Sequence, residues 1–243
     1  VMIHVGANTI PRWGGFRAPI FPNGEFIFIP IPWADDETYA RVDVPTYYDM
    51  GWKSFIENTP NRKIWDNPQF TTLTYAHLGR GPGNIEAIYN AVKENGYLLF
   101  MASLKYWDKP EAGPRQPWIT QPWGFYLVGY FQLKYILSNR EFEQSSVAQN
   151  DFIKNPQYIK KQLCKHFTNE HNLYWIKGSE GKKLNIAFPL SDPENPQMPN
   201  VFTKNTFRTV RGENIEGLTD WYRRTLQCED DRSDLLIRAI KTR

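Results

Sequence analysis

Two aromatic-rich segments, Tyr97–Trp107 and Phe125–Leu137, constrain this chain more than anything else in it. Each alternates as a strand must, because side chains leave a strand on opposite faces with period two. In the first, Leu98, Phe100, Ala102, Leu104 and Tyr106 share one face, and Tyr97, Leu99, Met101, Ser103, Lys105 and Trp107 share the other. In the second, Phe125, Leu127, Gly129, Phe131, Leu133 and Tyr135 alternate with Tyr126, Val128, Tyr130, Gln132, Lys134 and Ile136. Each strand therefore carries an apolar face and a face that mixes aromatics with a few polar groups. A merely solvated face would hold more charge. Two readings stay open: the mixed face lines a pocket, or it is buried with Ser103 and Gln132 satisfied internally. The connection Asp108–Gly124 carries four prolines and two tryptophans, and long ordered connections of this kind are often binding loops or lids.

Composition narrows the class. A chain of 243 residues can bury a sizeable core, and 41% hydrophobic with 23% charged residues excludes a disordered polymer. Aromatics reach 15%, with nine tryptophans, which suits a stacking surface or a large aromatic core. A net charge of +3 permits nucleic acid as a partner without demanding it. No stretch is long and apolar enough for a membrane span, so the expectation is a cytoplasmic protein with no membrane partner. Cys164 and Cys228 supply no disulfide framework.

Met2–Val5 predicts an opening strand. A loop with Asn8, Arg12, Gly14, Gly15 and Arg17 follows, and its glycines allow close approach of a ligand. Asn8, Arg12 and Arg17 are candidates to hold an anionic or amide-bearing ligand; the plain alternative is that the glycines only shape a hairpin. Asn23-Gly24 predicts a turn into a strand at Phe26–Ile29. Asp35, Asp36 and Glu37 read as a solvated acidic turn. Phe70–Ala76 can be a strand, and His77 stands at its end before the loop Gly79–Gly83, which lacks the Lys-Ser/Thr ending of a phosphate-binding loop. That placement suits a site residue, but a capping or packing histidine is the better single reading.

Asn84–Asn95 predicts a helix stopped by Gly96, with Ile85, Ile88 and Val92 on one face. Beyond Ser138 the pattern becomes more helical. A basic helix begins at Asn155-Pro156, Leu173–Lys177 reads as a strand, Gly178–Gly181 as a turn, and Lys183–Leu190 as a short apolar element. Leu218–Leu226 and Asp234–Thr242 read as closing helices. Cys164, His166 and His171 have one zinc-like spacing, but Cys164 and His166 stand two apart on a helix and face away from each other, so no metal site is assigned. No nucleophile elbow, dinucleotide fingerprint or Cys-x-x-Cys occurs, and spacing alone identifies no reaction and no cofactor.

Gly15–Pro32 resembles the opening signature of the third nucleotide-modification-associated domain family: a Gly/Arg loop, a Pro-Ile-x-Pro-Asp-Gly turn and a Pro-Ile-Pro end. Asn95–Leu104 with Tyr126–Phe131 resembles its later block, and Trp175–Gly178 with Ala187–Ser191 is a fainter echo. Together these cover most of residues 1–191. Strand pairs like the second block also occur in PUA-like and EVE-like domains. The chain departs from the family pattern at Tyr97, where Asp is usual, and at Lys182-Lys183, where a Ser is common.

The resemblance implies a role connected with modified bases, with DNA or a nucleotide as partner. It also implies the fold: a single α+β domain over 1–243 with a curved, mostly antiparallel PUA/EVE-like sheet or barrel. Flanking helices and a more helical part, 139–243, would pack on it. On this reading Asn8, Arg12, Arg17, Tyr75, Lys105 and Tyr130 surround one ligand pocket, in which arginines take phosphate or a base edge and tyrosines stack. Ser103, with His77 as proton carrier, would touch the reactive or modified position. A base-modifying enzyme, a non-catalytic reader of modified bases and a structural or interaction domain all remain open.

Overall fold

Both aromatic segments are central strands of one sheet in the computed structural model. It describes residues 1–7, 14–33, 43–56, 61–78, 82–93, 95–119, 123–156, 160, 173–190, 207–209, 226–228, 237–238 and 240–241. The strands are β1 (Met2–His4), β2 (Ala18–Ile20), β3 (Thr74–Leu78), β4 (Tyr97–Tyr106), β5 (Trp123–Ser138), β6 (Leu173–Pro189), β7 (Phe207–Thr209) and β8 (Leu226–Cys228). They lie in the order β3-β6-β5-β4-β1-β8-β7, with β2 also paired to β4. Among the described residues no pairing joins β3 to β7, so the sheet is open and not a barrel. It is mixed: β1 and β2 run parallel to β4, and the remaining pairs are antiparallel. With its helices this is the α+β class.

β4 is regular, but β5 is not, and this changes which side chains share a face. Phe100 lies opposite Gly129 and Met101 opposite Leu127, so Val128 is an extra residue in β5. A bulge of this kind reverses the parity beyond it. Phe125 and Leu127 therefore join the face of Met101 and Ser103, contrary to strict alternation, which put them with the apolar set. Gly129 is required where it stands: a Cβ there would sit 2.2 Å from the Phe70 ring. Phe70 packs edge-to-face on Phe100 and Phe131 at 5.5 and 5.7 Å, forming an aromatic core on the other face.

The Gly178–Gly181 turn expected within residues 173–190 is absent. β6 is one strand of 17 residues, with register shifts against β5 around Gln132, Leu133 and Tyr135. Glycines inside a strand often mark such irregularities. The Phe26–Ile29 strand reduces to a single bridge, Ile20 to Phe26, although the Asn23-Gly24 turn is present, with Gly24 N–H donating to Phe21 C=O at 2.9 Å. Prolines at 30 and 32 deny that segment the donors a ladder needs.

Helix α1 (Pro82–Lys93) begins two residues earlier than Asn84, with proline in the first turn where its missing N–H costs little. It packs against β4 and β5. Helices α2 (Asn139–Gln144) and α3 (Ser146–Phe152) follow β5 directly. Ser138 and Glu141 form a reciprocal capping box on α2. Phe142 and Phe152 then close on Trp175 at 5.9 and 5.6 Å, in a second core at this end of the sheet. Of the closing helices, Leu226 lies in β8, while 237–238 and 240–241 are helical. The 139–243 region thus contributes strands as well as helices. Among the described residues, no helix is long and apolar enough to cross a membrane.

Candidate functional site

β1 and β2 lie end to end along one edge of β4, pairing with Leu99–Met101 and Leu104–Tyr106 respectively. Between them the chain leaves the sheet and returns. Gly6 at the exit and Gly14 and Gly15 at the return have φ of 82°, 117° and 81°, which residues with a Cβ resist. The interruption falls beside Ser103, the one position of β4 in that span whose polar side chain faces the mixed side.

Five side chains gather there. Parallel register places His4 beside Met101 and brings Arg17, just before Ala18, beside Ser103. Arg17 Nε donates to Ser103 Oγ at 2.8 Å. Its guanidinium carbon lies 3.6 Å from the centroid of the Trp123 ring, a close stacked cation–π contact. Trp123 meets Phe125 edge-to-face at 5.5 Å, and Phe125 meets His4 at 6.4 Å. Ser103 is fully buried, Trp123 is 8% exposed and Arg17 is half-buried. The guanidinium is thus held by a hydroxyl on one edge and an indole on one face, with its charge near the surface.

His4 is shifted from an ordinary histidine value to about 3, first by burial and then by the Arg17 charge. At neutral pH the imidazole is uncharged, a hydrogen-bonding group more than a proton carrier. An anion entering beside Arg17 would meet one fixed positive charge, an aromatic face and short polar groups. Such a set can take a phosphate or the edge of a base.

Of the residues expected in the pocket, the structure brings Arg17 and Ser103 together. Lys105 is exposed and lies opposite Trp123, two residues along the same face from Ser103. Tyr130 lies opposite Leu99 and packs edge-to-face on Tyr97 at 6.1 Å. It is on the Ser103 face but about 13 Å along the strand, outside the cluster. Tyr75 packs on Phe100 at 5.5 Å, on the opposite face, where burial raises its hydroxyl and no stacking surface is offered. His77 pairs with Tyr174, which pairs with Ser138, at the end of β5 remote from Phe125. Asn8 and Arg12 lie outside the described residues.

Two members of the cluster escaped the sequence reading. His4 sits in an apolar run that looks purely structural; its signal was a lone imidazole inside a strand next to an arginine-bearing loop. By sequence pattern Trp123 falls in the loop, whereas β5 starts there.

A family model described as nucleotide modification associated domain 3 matches residues 1–237. No curated protein matches the chain, and no solved structure matches it.

Proposed function

Since the chain belongs to the nucleotide modification associated domain 3 family, we propose that its nucleotide-modification-associated role is exercised where Arg17, Ser103, Trp123 and His4 converge. There it would hold a base or nucleotide. The observation that carries this reading is the Arg17 guanidinium, laid 3.6 Å over Trp123 and pinned by Ser103 at 2.8 Å. An arginine fixed in one plane loses little freedom when its forked N–H groups meet a phosphate or a base edge. The likeness to PUA-like and EVE-like domains belongs to the same proposal: a sheet face clasps a base out of its stack, with an aromatic beside it and short polar groups reading its edge.

Within this proposal the protein is a holder or reader of the base in preference to its modifying enzyme. The neutral His4 favours that choice, because an imidazole shifted to about 3 is a poor base at neutral pH. Pairing His77 with Ser103 as catalytic groups is not part of it, since the strand register sets them at opposite ends of β5.

Titration of the full chain with the four deoxynucleoside 5′-monophosphates, followed by tryptophan fluorescence, tests the reading. Saturable quenching that R17A weakens at least tenfold is expected. No saturable change with any of the four, or equal affinity in R17A, contradicts it. Nucleosides recovered from DNA after incubation with the protein should keep their mass profile; an altered profile would make the chain an enzyme.

A further inference from the structure

The face of β4 that holds Ser103 does not end there. Lys105 and Trp107 follow on the same side in steps of about 7 Å, the repeat of alternate residues in a strand. Trp107 N–H donates to Ile20 C=O at 2.9 Å, so it still lies against the β2 edge, yet its side chain is 38% exposed. Phe55 meets the Trp107 ring edge-to-face at 5.2 Å, and Phe21 meets Phe55 at 6.4 Å. Lys109 places its Nζ 5.0 Å from the centroid of the Phe21 ring. The neighbouring acid, Asp108, engages the Tyr106 hydroxyl at 3.4 Å, and Tyr106 alternates to the other side. The result is a line of cation, cation, aromatic ledge, cation: Arg17, Lys105, Trp107 on Phe55, Lys109.

A solvent-exposed tryptophan braced by one T-shaped ring contact has a face left for stacking, whichever of the two rings supplies the edge. Bases stack on such faces regardless of sequence, and lysines along the line follow the phosphates. A protein partner would be met as well by the aromatics alone. The lysines spaced between them are what a polyanion needs.

We propose that this strip is a docking track for single-stranded nucleic acid. It would lead the strand away from the nucleotide held at Arg17, with Lys105 on the adjoining phosphate, Trp107 stacking a base and Lys109 beyond it. The proposal extends the nucleotide-holding reading and rests on it for the position of the first nucleotide. It makes the natural ligand a base within a polynucleotide and not a free nucleotide.

Fluorescence anisotropy with labelled oligothymidylates of two to twelve residues tests the track, alongside deoxythymidine monophosphate in the fluorescence titration. Affinity should rise over the first few nucleotides and then level. W107A should weaken oligomer binding about tenfold, a typical cost of losing one stacked base, while leaving monophosphate binding unchanged. K109A should lower the slope of log affinity against log salt by about 0.7, one released counterion on a single strand. Oligomers that bind no tighter than the monophosphate, W107A binding them like wild type, or equal affinity for a duplex of the same length would each overturn the track. None of these would touch the site at Arg17. Conversely, oligomer binding that depends on Trp107 without any monophosphate binding would leave the track standing and remove the site at Arg17. Trp107 is exposed and outside the core, so W107A should fold; K105E, also on an exposed side chain, gives a second variant that should abolish oligomer binding.

Discussion

Among the described residues two polar clusters stand one at each end of β5, and they are built on different principles. At the far end, Asn155 Oδ1 accepts from Thr72 and Thr74 hydroxyls at 2.7 and 2.9 Å, and its amide donates to Phe152 C=O at 3.0 Å. Next to it, Asp151 takes the Tyr135 hydroxyl at 3.0 Å and Lys154 Nζ at 2.8 Å. Each group there is answered by another part of the fold, and the result fastens α3 to the strands. At the near end a cation lies on an indole and bonds a serine hydroxyl beside a break in the sheet edge. Where charges answer each other within the fold, a cluster holds the structure together. Where a guanidinium lies on an aromatic face beside a break in the sheet edge and stays half-exposed, a group from solvent can reach it. That contrast separates clamp from candidate site, and four experiments can break it or sharpen it.

The largest effect should come with acid. Folded His4 stays neutral down to about pH 3, whereas an unfolded histidine protonates near 6.5, so the unfolded chain binds more protons between these values. Stability should therefore fall as pH drops from about 6.5 toward 3, with a slope approaching 1.4 kcal/mol per unit from this group, and it should be unaffected by His4 above that window. Urea unfolding of H4F across this range should show the slope removed. The clamp behaves differently. Although burial pushes the Asp151 carboxyl up, hydrogen bonds from Lys154 and Tyr135 and the nearby Lys177 outweigh it and hold it below the usual range. Its stabilisation is present above about pH 4 and lost only as pH falls further, so D151N should change the acid limb only from the lower end of the His4 window downward.

Next in size is N155A. It removes the amide oxygen that takes two threonine hydroxyls and the side-chain donor to the Phe152 carbonyl, at a cost of about 2 kcal/mol in denaturant unfolding. Nucleotide affinity should not change, because the cluster is remote from Arg17. Lost affinity in N155A would mean that the two ends are not separable in function.

R17A should do the reverse. Nucleotide affinity falls at least tenfold, about 1.4 kcal/mol, while unfolding shifts by about 1 kcal/mol from the lost cation–π contact together with the lost Ser103 hydrogen bond. A larger loss of stability than of affinity would make Arg17 part of the scaffold. The smallest effect belongs to S103A, which keeps the arginine but frees its plane. A loss of about 0.5 kcal/mol in stability, the low end for one hydrogen bond, and a few-fold in affinity is expected.

How much of this could be read from the residues differs between the two clusters. Ser103 and Arg17 stood out because a small polar group in an apolar strand and an arginine after a Gly pair are both unusual, and parallel pairing of β2 with β4 sets them side by side. His4 and Trp123 did not stand out, since nothing local separates a buried structural ring from one beside a charge. Strict alternation also misassigned Phe125, because one extra residue at Val128 reverses the pleat, and the neighbouring Gly129, a residue type that often marks a bulge, does not by itself say which residue is extra. Tyr75 and His77 were grouped with Ser103 on sequence order, but register is a tertiary property. β3 pairs with β6 at the other margin of the sheet, putting Tyr75 on the Phe100 face and His77 at the Ser138 end of β5. The Asn155 network was invisible for the same reason, joining residues 81 to 83 positions apart.

The most direct test of the site at Arg17 is an NMR titration of the labelled full chain with a deoxynucleoside 5′-monophosphate. The Arg17 Nε–H and Trp123 indole N–H resonances would be followed, with the Trp175 indole as the internal control from the clamp. If Arg17 and Trp123 hold the nucleotide, they shift together along one saturating curve while Trp175 stays still. Saturable shifts confined to the Trp175 end, with Arg17 and Trp123 unmoved, would contradict it.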